Sequence, residues 1–395
     1  MDRRHPESDS FALRKEIETL TVKQRFGIHR FSGSDRDICF LTSEVVLKTI
    51  ENVIKEVLLS LSRGEAPQLR MHNRLQWANN RFHDSTIPQK AEDCSFITIK
   101  SNSSASVTRF ALILKMLSVI YKLVQSNTYA TKRDIFYCNK GLFGTQRTVD
   151  KIIDDICCML LIPRLNLHVL ATSKGLIAGD LCYTEVDGTR VNCASNSMAV
   201  LVPSSVQGIK YISSSAQYLL IVEKDATFQR LLDDNFLGES AHCIIITGKG
   251  FPDLNTRLMV RKLWEFLQIP VFALVDADPY GIEIMCIYKY GSVSMSFEGH
   301  RLTVPSIMWL GLLPSDLERL IIPKAALIPL TKTDYNKLAS MQKRPYIMSQ
   351  PLWQREIDII RNSKMKAEIQ SLTALAPDYL TRVYLPNKLH FGGWI

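Results

Sequence analysis

Short apolar runs with no polar alternation mark the second half of the chain: Tyr218–Val222, Cys243–Ile246 and Val271–Val275. Unbroken runs of this length suit strands buried on both faces of a parallel sheet. The intervening Ala226–Phe236 and Asn255–Leu267 carry helical spacing, so the pattern predicts a βαβαβ unit. The first half has a different period. Val46, Ile50, Val53, Val57 and Leu61 recur every three or four residues and predict an amphipathic helix over Ser43–Arg63. That stripe must pack either on a partner chain or on the protein's own next domain. A second helix is expected over Val107–Gln125, and a short third begins at Thr131 with Asp134 three residues on as its capping partner. A further helix runs from about Arg147 to Leu161. A hairpin of Leu181–Glu185 with Val191–Ala194 follows, turning at Asp187-Gly188. Three helices and a hairpin predict a winged helix-turn-helix, a DNA-docking unit.

The remainder is less patterned. Residues 1–40 read as weakly ordered apart from a helix at Phe11–Gln24, and 64–104 as a linker or irregular segment rich in Asn, Ser, Asp and His. The C-terminal hundred residues predict a strand over Ser292–Phe297 and a helix over Ser363–Leu375. The chain thus divides into an arm (1–42), a helix with linker (43–104), a winged-helix domain (105–205) and a parallel-sheet domain with a C-terminal extension (212–395), a multidomain α+β / α/β protein.

Composition narrows the class without deciding it. With 46% hydrophobic and 22% charged residues among 395, the chain can bury a sizeable core in two or three domains. A net charge of +9 fits a nucleic-acid partner but is shared by many proteins without one. Nine cysteines without a C-x-x-C pair read as reduced thiols rather than a zinc site or disulfide frame. No signal-peptide core and no bilayer-length apolar run is seen, so no membrane role is expected.

The chemistry sits where the apolar runs end. Glu223 follows the first run, and Asp276 and Asp278 follow the third. In a parallel sheet, ligands gather at the carboxyl ends of the strands. Such acids could merely cap helix N-termini. However, Asp276 and Asp278, two apart at a strand end, face the same side, and like charges there call for a hard cation such as magnesium. On the short helix, Arg133 and Tyr137 are four apart and share a face. A tyrosine hydroxyl, with a pKa near 10, needs an adjacent guanidinium to serve as a nucleophile toward phosphate; a buried tyrosine bonded to a carbonyl is the ordinary alternative. Lys174 and Lys249 lie in glycine-bearing turns that let backbone and ammonium approach phosphate, and Phe251 follows the second turn as a candidate wedge or stacking residue. A solvated lysine is the plain alternative for each. Gly248-Lys-Gly250 lacks the spacing of a Walker loop. His168 and His242 read as core or edge residues, and the basic helix Thr256–Lys262 as a solvated face.

In order, Arg133–Tyr137, Thr172-Ser-Lys-Gly-Leu176, Val222-Glu-Lys-Asp225, Thr247-Gly-Lys-Gly250, Val275-Asp-Ala-Asp278 and Met365-Lys-Ala-Glu-Ile369 resemble the meiotic double-strand-break transesterase family, related to the A-type subunit of topoisomerase VI. The resemblance runs from about residue 105 to the C-terminus, whose Leu385–Ile395 looks like the vertebrate version. It implies a winged-helix domain followed by a Toprim domain, with Tyr137 as nucleophile and Arg133 assisting. It further implies Glu223 and Asp276 as magnesium ligands with Asp278 as a third acid, and DNA contact at Lys174 and Lys249. Phe136 removes the ambiguity of relatives with two tyrosines here, and Cys138 is a neutral departure. The implied reaction leaves a 5′ phosphotyrosyl end and a free 3′ hydroxyl on each strand of double-stranded DNA, without ATP. The tyrosine of one copy would meet the metal site of a second, in the nucleus on meiotic chromosomes, with a topoisomerase VI B-like subunit docking at helix 43–63. Two alternatives stay open: an A-type subunit of a type IIB topoisomerase that also reseals DNA, and a non-catalytic scaffold, whose hallmark would be loss of Tyr137, Glu223 or Asp276.

Overall fold

The computed structural model describes residues 42–72, 96–170, 172–194, 199–239, 242–292, 295 and 299–395. The expected helix Phe11–Gln24 lies outside them, as does most of the expected strand Ser292–Phe297. The described residues form two compact units divided between Thr172 and Ser173, with 291–300 counted with the first. Among the described residues no helix is long and apolar enough to cross a membrane.

In the first unit, α1 (Ser43–Ser62) begins where the Thr42 hydroxyl accepts the Val45 N–H. Its stripe finds cover within the chain. Val46, Ile50 and Val57 join Ile113, Met116 and Ile120 of α2 (Val107–Gln125) and Val149, Ile153 and Ile156 of α4 (Gln146–Leu160) in one core, which also takes Ile135 of the short α3 (Lys132–Cys138). Leu61, the last residue of the expected stripe, stays exposed. The reading of 64–104 as irregular is corrected at both ends. β1 (Gln68–His72) and β2 (Phe96–Lys100) pair antiparallel, because Leu69, Met71 and Ile99 alternate inward to the same core. A two-residue parallel pairing of β3 (Ala130–Thr131) with β4 (Val169–Leu170) leads into α3.

The second unit is built on a six-stranded sheet. β5 (Leu176–Gly179) enters it first. A separate three-stranded sheet takes β6 (Cys182–Thr184), β7 (Arg190–Asn192) and, after β8 (Val200–Leu201), β9 (Lys210–Ser213). The three apolar runs become β10 (Tyr218–Val222), β11 (Cys243–Thr247) and β12 (Val271–Leu274), followed by β13 (Met308–Gly311). In the order β13-β12-β10-β11-β5-β8 the first four strands are parallel, and β5 is antiparallel to β11. The crossover helices are α5 (Asp225–Asp233) and α6 (Leu254–Leu267), and α7 (Pro279–Tyr290) leaves β12. Leu219–Val222 and Val271–Leu274 are essentially without exposure on either face, which explains their unbroken apolar sequence.

The register then places the chemistry. Val222 is level with both Thr247 and Leu274, so β10, β11 and β12 end together. β10 lies between its two successors and sends its chain toward β11, while β12 sends its chain toward β13. The gap between β10 and β12 is therefore the topological switch point where α/β sheets bind ligands.

Three sequence readings change here. The hairpin β6–β7, expected beside the three helices, belongs to the second unit: β5 is hydrogen-bonded to β11 and carries the following chain with it, so the boundary falls at 172/173 instead of near 205. The helix expected over Ser363–Leu375 is instead the end of α8 (Pro351–Ser363), stopped by Lys364 in the left-handed region (φ 57°). A strand pairing at Met365–Lys366 and a 3-10 turn over Ile369–Ala374 follow, because Ala367 is drawn onto Ala277 behind β12. The basic face Thr256–Lys262 is not solvated: Arg257 is buried, and the Lys262 ammonium donates to the carbonyls of Val206, Gln207 and Ile209 at 3.0, 3.0 and 2.8 Å. Burial pushes Lys262 down to about 8.

Candidate active site

Helix α3 presents Tyr137. The helix is only seven residues long, below the length at which helices hold in isolation, so it depends on its ends and its packing. A capping box supplies one end: the Asp134 N–H donates to the Thr131 hydroxyl at 3.2 Å, and the Thr131 N–H to the Asp134 carboxylate at 2.9 Å. The Thr131 N–H and hydroxyl, both donating to the carboxylate, hold Asp134 below the usual carboxylate range. Ile135 anchors the inner face, and Lys132 ties α3 to Asp150 and Asp154 of α4 at 3.5 and 3.4 Å. The opposite face then has to look outward. Tyr137 is 70% exposed, Arg133 is exposed one turn earlier, and Phe136 lies tilted beside Tyr137 with ring centroids 5.5 Å apart. A large aromatic ring held outward on a pinned helix, with an exposed arginine one turn earlier, is available to a phosphate in a way a buried tyrosine is not.

The carboxylates form the second group, in the other unit. Glu223 and Asp276 are only 7% and 2% exposed. The Asp276 N–H donates to Glu223 Oε2 at 2.8 Å, so the two acids of neighbouring strand ends touch through the backbone. Asp276 Oδ1 accepts the Ile369 N–H at 2.9 Å, and its Oδ2 pairs with the Lys224 ammonium at 2.7 Å. Burial pushes the Glu223 carboxyl up to about 8, with the charge of Asp276 adding to it. Burial also raises Asp276, against the pull of Lys224. Asp278 is raised by burial too, but its Oδ1 accepts the Gly281 N–H at 2.6 Å at the start of α7, so this acid does cap a helix. Gly281 is required for the approach: a Cβ there would meet the Asp276 carbonyl oxygen at 2.5 Å and Glu223 Oε2 at 2.8 Å.

Among the described residues, no three His, Cys, Asp or Glu side chains stand closed around a metal position. The donor set nonetheless suits a hard cation of the magnesium kind, which keeps most of its waters and takes one or two carboxylates. Two carboxyls raised chiefly by burial, side by side at one sheet edge, are the groups such a cation relieves.

The lysine turns converge on the same edge. Because β5 runs antiparallel to β11 with Leu176 opposite Thr247, the turn before β5 and the turn after β11 are adjacent. Lys174 Nζ donates to the Lys249 carbonyl at 3.1 Å, while Asp253 accepts the N–H groups of Lys174 and Gly175. Asn255 donates to the Ser173 hydroxyl at 2.6 Å. The Gly250 N–H donates to the Glu223 carbonyl at 2.8 Å, which fastens this turn to the acid. Lys249 pairs with Asp225 at 3.1 Å, and Phe251 is exposed beside it. Of the two histidines, His168 is buried against Tyr129 and bonds the Thr128 carbonyl, whereas His242 is exposed.

Sequence reasoning assigned no role to Lys224, Glu368, Asp253 or Gly281. Lys224 sits next to Glu223 in sequence, and Glu368 lies within Met365–Ile369, so both stood inside segments that carry the family resemblance. The Ala277–Ala367 bridge and the Ile369–Asp276 hydrogen bond bring Glu368 to the edge, where it lies 3.0 Å from Lys224.

Residues 218–389 match the Toprim-domain family of the topoisomerase 6 A-type subunit and Spo11, and residues 108–169 match the type IIB DNA topoisomerase family. The human meiotic recombination protein SPO11 is 58% identical over 392 residues, spanning 99% of this chain and 98% of its own. The mouse protein of the same name is 62% identical over 354 residues, spanning 90% and 89%. The A-type subunit of DNA topoisomerase 6 from Arabidopsis thaliana is 35% identical over 372 residues, spanning 92% and 84%.

Proposed function

The chain belongs to the family of Spo11 and the topoisomerase 6 A-type subunit, as a DNA transesterase that makes the double-strand breaks of meiotic recombination, and on that premise we propose how its own residues carry the reaction. Tyr137 is the nucleophile. Its Oη attacks a backbone phosphorus, the bond from phosphorus to the 3′ oxygen breaks, and the phenolic proton passes to solvent, from which the departing 3′ oxygen takes one to become a hydroxyl. Arg133, one turn earlier on the same helix, holds the phosphate under attack. Glu223 and Asp276 would hold a divalent cation, magnesium in this reading, which would supply charge stabilisation to the phosphate and the departing 3′ oxygen. Asp278 acts mainly by starting α7, and so by fixing the turn that carries Asp276. Lys174, Lys249 and Phe251 guide the DNA backbone to this edge, and α2–α4 form the helix-turn-helix docking surface. The observation that carries the assignment is the outward Tyr137 on a capped, pinned helix, one turn from Arg133.

Tyr137 and the carboxylates lie in different units. Two copies, each lending its tyrosine to the other's metal edge, are the working assembly, on meiotic chromosomes in the nucleus. A topoisomerase VI B-like subunit docks on the exposed side of α1, where Ile54 and Leu58 line a groove with Leu114 and Tyr121. Leu58→Glu is expected to weaken that complex without unfolding the chain; unchanged binding would place the interface elsewhere.

Supercoiled plasmid incubated with Mg²⁺ and protein, wild type against Tyr137→Phe, tests the assignment. Protein joined to 5′ DNA ends after denaturation is expected from the wild type alone. Adducts from Tyr137→Phe at wild-type level would refute the nucleophile.

A further inference from the structure

A cation already stands at the carboxylate edge. The Lys224 ammonium lies 2.7 Å from Asp276 Oδ2 and 3.0 Å from Glu368 Oε1, bridging a buried acid and a half-exposed one. The other oxygen of Asp276 is held by the Ile369 N–H, a backbone group fixed by the Ala277–Ala367 bridge. A divalent ion approaching Asp276 therefore meets one partner that cannot move and one that can. An ammonium and a divalent cation cannot share one carboxylate oxygen without strong repulsion. Lys224 has a flexible four-carbon stem, and Glu368 is within reach as a second acceptor.

We propose that Lys224 is a displaceable counter-ion of the metal site and that Glu368 is the residue that retains it when the metal enters. Without metal, Lys224 keeps buried Asp276 from standing unpaired, which would be costly. With metal, Asp276 turns to the ion, and the ammonium stays at the rim on Glu368 instead of leaving into solvent. Loading is then an exchange of cations, and the metal-free fold is protected at the expense of metal affinity. Both are positioning residues. This inference rests on the reading of Glu223 and Asp276 as the metal-binding pair.

The test is calorimetric titration of the full chain with Mg²⁺ alone, alongside melting in chelator. Lys224→Met is expected to bind Mg²⁺ roughly tenfold tighter and to melt lower without metal, since an ion pair at a buried acid is lost. Lys224→Arg, which grips a carboxylate through two donors, is expected to bind Mg²⁺ more weakly. Glu368→Gln is expected to bind roughly threefold more weakly, because Lys224 loses the acceptor that retains it in the loaded state; the same substitution in the K224M background should change nothing. Unaltered or weaker binding by Lys224→Met overturns the exchange. An equal effect of Glu368→Gln in both backgrounds overturns it also, since Glu368 would then act on the metal directly. Mg²⁺ binding that survives Glu223→Gln would overturn the metal site itself, a result separable from either.

Discussion

Gly281→Ala offers a test that depends on the geometry alone. In an exposed helix, replacing glycine by alanine stabilises by about 1 kcal/mol. Gly281 is the third residue of α7, where the added Cβ would lie 2.5 Å from the Asp276 carbonyl oxygen, 2.9 Å from the Asp276 nitrogen and 2.8 Å from Glu223 Oε2. Ordinary contacts of this kind lie near 3.5–4.0 Å. Two of the three atoms are backbone and cannot rotate away, so the strain is of the overpacking kind, about 1–3 kcal/mol. Set against the helix gain, the net is a loss of up to about 2 kcal/mol, or a melting temperature lower by up to about 8 °C. The cheapest relief is to push Glu223 off the Asp276 N–H, which spoils the pair expected to hold the metal. Mg²⁺ affinity and 5′ adduct yield should therefore fall about tenfold or more, out of proportion to the modest loss of stability. Gly141→Ala, with no atom within 4 Å of its added Cβ, is the matched control and should be neutral or slightly stabilising. Wild-type melting and wild-type Mg²⁺ affinity for Gly281→Ala would refute the close packing of Glu223 against β12.

The remaining predictions concern charge. The Glu223 carboxyl is raised to about 8 from 4.5, so between these values the folded state holds more protons than the unfolded one. Without metal, its contribution to stability is therefore present at low pH and is lost as pH rises toward about 8, measurable by melting in chelator; saturating Mg²⁺ should flatten or reverse that slope, and Mg²⁺ affinity should climb over the same window. Arg133→Ala is expected to reduce adduct formation more than DNA binding, by parallel plasmid-cleavage and filter-binding assays; equal losses would make Arg133 only a phosphate anchor. Lys174→Ala and Lys249→Ala should instead weaken binding to all sequences alike and each lower the salt slope by about 1.

Much of the second unit was legible because burial on both faces writes itself into sequence. Tyr218–Val222, Cys243–Ile246 and Val271–Val275 have no polar alternation since neither face meets water, and this alone located β10, β11 and β12. The capping box of α3 was equally local: Thr131 and Asp134 satisfy each other's backbone within one turn, so the helix bearing Arg133 and Tyr137 could be read from their spacing. What the sequence determined, then, were elements such as these, whose periodicity or end-chemistry is closed within a short window. The tertiary structure decided the rest. Strand register made the ends of β10 and β12 level and brought Glu223 onto Asp276. Pairing of β5 with β11 took the hairpin away from the helices and set Lys174 beside Lys249. The bridge of Ala367 to Ala277 unmade an expected helix and delivered Glu368 to Lys224. Each of these joins residues tens of positions apart, where hydrogen-bond pairing across the sheet outweighs the weak local preference that a sequence window can report.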